Sequence, residues 1–168
     1  MNIQRRYFLT AGASFGLLGL SALLPSTVST AKAEEMEKFE VTRSDAEWKS
    51  LLSASAYTIL RHEGTEQPYS SPLNSEHRAG IFECAGCAKQ LFSSKTKFDS
   101  HTGWPSFWQP LEKAVITRED RSLFIARVEV RCSRCGGHLG HVFEDGPKPT
   151  GLRYCMNGAA MKFTPSAI

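Results

Sequence analysis

Two short cysteine turns constrain this chain more than any other feature of its sequence. Cys84-Ala85-Gly86-Cys87 and Cys132-Ser133-Arg134-Cys135-Gly136-Gly137 each set two thiols three positions apart. As a pair, such turns offer four thiolates to one tetrahedral ion at about 2.3 Å. Gly86, Gly136 and Gly137 let the backbone turn tightly under the sulfurs. The competing arrangement is a disulfide within each C-x-x-C turn, but so short a closed loop restrains little of the unfolded chain. One structural zinc ion is therefore the expected occupant of Cys84, Cys87, Cys132 and Cys135. The 44 residues between Cys87 and Cys132 exceed the spacing of a compact zinc ribbon, so the ion must join distant segments of one domain. With four protein ligands, no coordination position remains for substrate.

Residues 1–33 read as an export signal. Arg5-Arg6 open it, an apolar run follows over residues 11–24, and Ala31-Lys32-Ala33 is an A-x-A cleavage pattern just before the first acid, Glu34. The apolar run is shorter than the roughly 20 residues that span a bilayer, and Pro25 follows it, so no stable membrane anchor is expected after cleavage. Gln4-Arg5-Arg6-Tyr7-Phe8-Leu9-Thr10 looks like a twin-arginine signal, the type that exports folded proteins. Export of that kind lets a protein load metal in the reducing cytoplasm before release. It implies a bacterial source and a periplasmic destination.

Residues 34–168 are then one domain, long enough for a single core. A composition of 41% hydrophobic and 22% charged residues excludes a disordered or fibrous chain. The formal charge of +3 comes from Arg5, Arg6 and Lys32, which have no acid beside them in residues 1–33. The remainder is neutral, which argues against a general electrostatic grip on nucleic acid.

Ser44-Asp45-Ala46-Glu47 is a capping box, with Trp48, Leu51 and Leu52 following at helical spacing. A second short helix is expected over residues 55–63, stopping at Gly64. Residues 115–117, 123–131 and 152–156 read as strands. The expected class is α+β: a small N-terminal helical part on antiparallel sheet.

Cys155 is left over from the metal set. In an extended strand, Arg153, Cys155 and Asn157 share a face, where a guanidinium favours the thiolate and an amide can hold a polar substrate group. Against this stands the ordinary fate of a lone cysteine as an inert buried residue. His138-Leu139-Gly140-His141 supplies two imidazoles that face opposite ways on a regular strand, unless a bulge at Gly140 re-aims one. With Asp145 they are candidates for proton transfer, or His138 supports the adjacent metal turn. Gly103-Trp104-Pro105-Ser106-Phe107-Trp108 is either core packing or an exposed aromatic wall for a methyl or thioether group. His62 and His77 have no such context and read as surface residues.

Together these segments resemble the B-type methionine sulfoxide reductases, which reduce the R epimer of methionine sulfoxide. The matching motifs are Gly64-Thr65-Glu66-x-Pro68, Cys84-x-x-Cys87, Thr96-Lys97-Phe98-Asp99, Gly103-Trp104-Pro105-Ser106-Phe107, Cys132-x-x-Cys135, His138-Leu139-Gly140-His141-Val142-Phe143-x-Asp145-Gly146-Pro147 and Arg153-Tyr154-Cys155-x-Asn157, spanning about residues 43–163. The resemblance implies a mainly antiparallel β fold of two sheets with short N-terminal helices. It implies that Cys155 is the nucleophile and becomes a sulfenic acid. His138, His141 and Asp145 would surround the sulfoxide oxygen, Trp104 would receive the substrate methyl with Phe143 beside it, and Arg153 and Asn157 would support the cysteine and the substrate. Zinc would sit on the four remaining cysteines. The implied partners are oxidised proteins or peptides containing methionine sulfoxide.

Three positions depart from the family pattern. Thr102 stands where many members carry a resolving cysteine, so a thioredoxin-like or small-thiol reductant is expected to attack the sulfenic acid directly. Gly158 stands where Ser is usual, with a loosened strand end as the expectation, and His101 stands where Gly is usual. Two other readings use the same cysteines: an exported zinc-binding protein-interaction module without catalysis, and a thiol–disulfide oxidoreductase working through one C-x-x-C.

Overall fold

The computed structural model describes residues 38–121 and 126–166, all within the compact unit Glu37–Ile168. The export signal of residues 1–33 and the first three residues of the strand expected over 123–131 lie outside the described residues.

Two helices lead. α1 (Asp45–Leu51) starts with the expected capping box: Ser44 Oγ accepts the Glu47 N–H, and Glu47 Oε2 accepts the Ser44 N–H at 2.8 Å. α2 (Ala54–His62) begins one residue before the sequence expectation, because the Ser53 hydroxyl accepts the Ala56 N–H and caps it. It ends through Glu63, which itself takes the left-handed conformation at φ 54°, so that the Gly64 N–H can reach Thr58 O. Trp48, Ala56, Ile59 and Leu60 form the buried faces of these helices, and α2 packs against the sheet and the 3-10 turn Gly158–Ala160.

Nine strands follow: β1 (Gly80–Cys84), β2 (Gln90–Ser93), β3 (Lys97–Phe98), β4 (Ser106–Phe107), β5 (Val115–Asp120), β6 (Arg127–Cys132), β7 (His138–Phe143), β8 (Arg153–Met156) and β9 (Met161–Pro165). They form two antiparallel sheets among the described residues, ordered β2-β1-β9 and β3-β4-β8-β7-β6-β5. This is the mainly β architecture that the family resemblance implied. Strand β5 runs three residues beyond the expected 115–117, and the described part of the strand expected over 123–131 is β6, which runs one residue further, to Cys132. The sequence reading assigned no element to the strands of the smaller sheet. They are short, and β9 ends on a proline, which cannot donate to a ladder.

The core is aromatic. Phe92 of β2 stacks on Phe107 of β4 with centroids 4.4 Å apart, and Phe82 of β1 meets the same ring edge-on at 4.9 Å. These three fully buried rings join the two sheets, each worth about 1.5–3 kcal/mol of apolar burial.

Gly140 lets β7 and β8 approach at the one place where a side chain would keep them apart. A Cβ there would meet the carbonyl oxygen of Cys155 at 2.1 Å and Met156 Cα at 3.0 Å, both backbone atoms. Gly140→Ala is therefore expected to destabilise the fold by about 1–3 kcal/mol, read from the urea midpoint. An unchanged midpoint would show that the strand pair accommodates the methyl group.

Candidate active site and four-thiol centre

Sheet register lays out a polar row. Ser106 of β4, Cys155 of β8, His141 of β7, Glu129 of β6 and Arg118 of β5 are successive cross-strand partners, and directly opposed residues share a face. A cavity of about 150 Å³ is lined by Cys155, His141 and Gly140 together with Thr65, Trp104, Arg127, Phe143 and Asn157. A larger groove of about 590 Å³ lies along Ser53, Ser71 and Lys162, but no thiol or imidazole lines it. The smaller cavity is therefore the candidate site, on chemistry rather than size.

Five of the residues expected to act on substrate line this cavity: Cys155, His141, Asn157, Trp104 and Phe143. The other three, His138, Asp145 and Arg153, are not among the residues that line it. Arg153 forms a two-pronged ion pair with Asp145, both contacts at 2.8 Å, and its guanidinium lies 4.5 Å over the Phe143 ring. That ion pair holds the Asp145 carboxyl below the usual carboxylate range.

The expected bulge in β7 is present, and its extra residue is Leu139. Val130 pairs with Gly140 while the adjacent Arg131 pairs with His138, so Leu139 has no partner across the ladder. The bulge brings the two imidazoles together, edge to face, with ring centroids 5.4 Å apart. His138 Nδ1 contacts Glu129 Oε1 at 2.8 Å, and its Nε2 is buried without a protein partner among the described residues. His141 Nε2 contacts Asp120 Oδ2 at 2.8 Å. Burial lowers the His141 pKa more than the Asp120 contact raises it, which favours the neutral ring. Burial alone would raise the Glu129 carboxyl, but His138 and Arg118 hold it below its ordinary value.

Opposing influences meet at Cys155. Burial pushes its thiol up, and this outweighs the opposing pull of the Thr102 hydroxyl, the Arg153 charge and the Ser106 hydroxyl. The guanidinium favours the thiolate, as expected, but it does not carry the balance. Thr102 Oγ1 lies 3.9 Å from Cys155 Sγ and is itself bonded to Ser100, which bonds Ser106. The aromatic cluster divides between its two readings: Phe107 is core, whereas Trp104 lines the cavity. His101, like His62 and His77, is exposed.

Sequence reasoning missed Thr65, Arg127, Glu129 and Asp120. Glu129 is only 2% exposed although it is an acid flanked by valines in a strand. Strand alternation alone reads such a residue as solvent-facing. No local signal reveals that His138 and Arg118 will be there to meet it.

The four remaining cysteines converge. Their sulfurs all lie within 4.8 Å of one another, with Cys84–Cys135 at 3.7 Å and Cys87–Cys132 at 3.5 Å. These separations are far from the ~2.05 Å of a disulfide and close to the roughly 3.8 Å edge of a tetrahedron with 2.3 Å metal–sulfur bonds. The thiols therefore fit one tetrahedral ion. Hydrogen bonds from Cys135, Cys84 and Cys87 hold Cys132 well below the usual thiol range, while its bond to Cys132 pushes Cys84 up. The centre joins the end of β1 in one sheet to the end of β6 in the other.

The chain is similar in sequence to known proteins. The SelR domain matches residues 52–165. Peptide methionine sulfoxide reductase MsrB of Methanosarcina mazei is 51% identical over 130 residues, covering 77% of this chain and 93% of that protein. The proteins of the same name from Leptospira interrogans and Agrobacterium fabrum are 50% and 48% identical, covering 74% and 75% of this chain and 96% and 94% of theirs. The chain thus belongs to the SelR family, the B-type peptide methionine sulfoxide reductases.

Proposed function

We propose that this chain reduces the R epimer of methionine sulfoxide in oxidised proteins and peptides, with Cys155 as nucleophile and no internal resolving cysteine. The observation that carries the reading is the cavity that sets Cys155 against an indole, a phenyl ring and a neutral imidazole. Trp104 and Phe143 offer apolar surface to the methyl and thioether groups. His141, backed by His138, supplies the polar side for the sulfoxide oxygen.

Cys155 attacks the sulfoxide sulfur as thiolate. The S–O bond breaks with uptake of one proton, the sulfur leaves as methionine, and the oxygen ends on Cys155 as a sulfenic acid, which is one rung of the thiol oxidation ladder. Two external thiols complete the cycle. The first displaces water from the sulfenic acid to give a mixed disulfide, and the second frees Cys155. Thr102 cannot perform that step, since a hydroxyl forms no disulfide. Cys84, Cys87, Cys132 and Cys135 hold zinc, which supplies no reaction step here and locks the sheet ends together. An amino-terminal twin-arginine signal in residues 1–33 directs the folded, metal-loaded domain to the bacterial periplasm. A binding module without catalysis is the second reading, and nothing in the cavity's thiol and imidazole chemistry favours it.

With dithiothreitol, the protein is expected to turn over blocked R-methionine sulfoxide and leave the S epimer unchanged, and Cys155→Ser is expected to abolish turnover. One equivalent of substrate without thiol should leave a dimedone-reactive Cys155. Equal turnover of both epimers, or activity surviving in Cys155→Ser, would sink the assignment.

Because burial raises the Cys155 thiol, its thiolate fraction should still be climbing with pH above the ordinary thiol value. Its alkylation rate by iodoacetamide should therefore rise about tenfold per pH unit without levelling below about pH 8.5. A plateau near neutrality would mean that Arg153 outweighs burial.

Metal analysis should find one zinc per chain. Cys132→Ser should lose the ion and lower the thermal midpoint by more than about 10 °C, since structural zinc contributes directly to folding. A metal-free protein with an unchanged midpoint would overturn the structural role.

A further inference from the structure

The Gly64-Thr65-Glu66 segment carries none of the reacting groups, yet Glu66 makes four bonds, two of them to the cavity-lining residues Asn157 and Trp104 and two to the neighbouring turn. Its backbone N–H donates to Asn157 Oδ1 at 3.0 Å, and its carbonyl accepts the Trp104 indole N–H at 3.2 Å. Its carboxylate accepts the Gly158 N–H at 2.6 Å through one oxygen and the Ala159 N–H at 2.9 Å through the other. Residues 66, 104 and 157 are far apart in sequence, and Glu66 joins the three segments.

Resting on the reductase reading above, we infer that Glu66 is a positioning residue for the substrate pocket. Its carboxylate clamps the two N–H groups that open the 3-10 turn Gly158–Ala160. Those N–H groups have no partner inside the turn, and bonds from N–H to a carboxylate are stronger than neutral ones. The clamp fixes the backbone of residue 66, and that backbone in turn sets two walls of the cavity.

The consequences for each wall follow from donor and acceptor counts. The Asn157 amide spends its oxygen on the Glu66 N–H and one N–H on Leu139 O at 3.1 Å. One N–H remains for a substrate oxygen. The Trp104 indole spends its single donor on Glu66 O, so what it offers the cavity is apolar ring surface. Both commitments suit a ligand with a polar oxygen next to a methyl group. Gly158 belongs to the same device. A Cβ on it would lie 2.0 Å from Ser71 Oγ, so the glycine lets the turn close against Ser71 and Glu66. The strand end is held there rather than loosened.

The test is Glu66→Ala beside Glu66→Gln, each compared with the unaltered protein. Glu66→Ala is expected to raise KM for blocked R-methionine sulfoxide about tenfold with a smaller change in kcat, as lost uniform binding does. It should also move the Trp104 indole N–H resonance while leaving those of Trp48 and Trp108 in place. Glu66→Gln keeps one acceptor oxygen and should recover part of both effects. Cys155 alkylation should stay within about twofold, because its pKa depends on burial, Thr102, Arg153 and Ser106, not on Glu66. An unchanged KM with an unmoved Trp104 resonance in either folded variant would overturn the proposal, as would a loss of stability with neither change. If Glu66→Ala fails to fold, Glu66→Gln decides on the same two readouts. Failure of the unaltered protein to reduce either epimer would overturn the reductase reading instead, and the Trp104 resonance would still report on the clamp.

Discussion

The four-thiol centre is the constraint on which the rest of the structure depends. It draws the end of β1 and the end of β6, from different sheets, to within one coordination sphere. Strands of two to six residues cannot hold such a geometry through ladder bonds alone. The helices close over the same region: a Cβ added at Gly86 would lie 3.4 Å from the Trp48 ring and 3.5 Å from the Leu60 side chain. Four thiols packed this closely fit a single tetrahedral ion, which would take all four as thiolates.

On this frame the larger sheet arranges its chemistry by register. Ser106, Cys155, His141, Glu129 and Arg118 come from five strands and meet because each faces the next. Ser106 and Glu129 are buried and Cys155 and His141 half-buried, so these polar groups need partners. Glu129 has His138 and Arg118, and His141 has Asp120. Burial raises Cys155 at the same time as it lowers His141, so both groups tend towards their uncharged forms in the resting cavity. A reaction that begins with thiolate formation must draw on the neighbours that oppose burial, Thr102, Arg153 and Ser106.

Much of the site was legible in the residues because its motifs are local. A C-x-x-C turn, a capping box and a glycine between two histidines declare their geometry within a few positions. The glycine marked where a bulge was possible, and the bulge that the structure forms has Leu139 as its extra residue. The Arg153–Asn157 strand placed Cys155 and Asn157 in the cavity, but not Arg153, whose long side chain turned instead to Asp145 and Phe143. The smaller sheet was not legible: its strands are short, β1 finds β9 across most of the domain, and pattern over four or five residues cannot specify that.

The sequence by itself determined which residues could bind a metal, which cysteine was left over, and the family to which the motifs point. These follow from residue type and spacing, which chain folding does not alter. Tertiary structure alone decided that burial, not the adjacent guanidinium, sets the balance at Cys155. It also decided that Glu129 backs His138 and that Glu66 joins Trp104 to Asn157. Each of these depends on how much water a group loses and which distant segment replaces it, and only the packed chain fixes both.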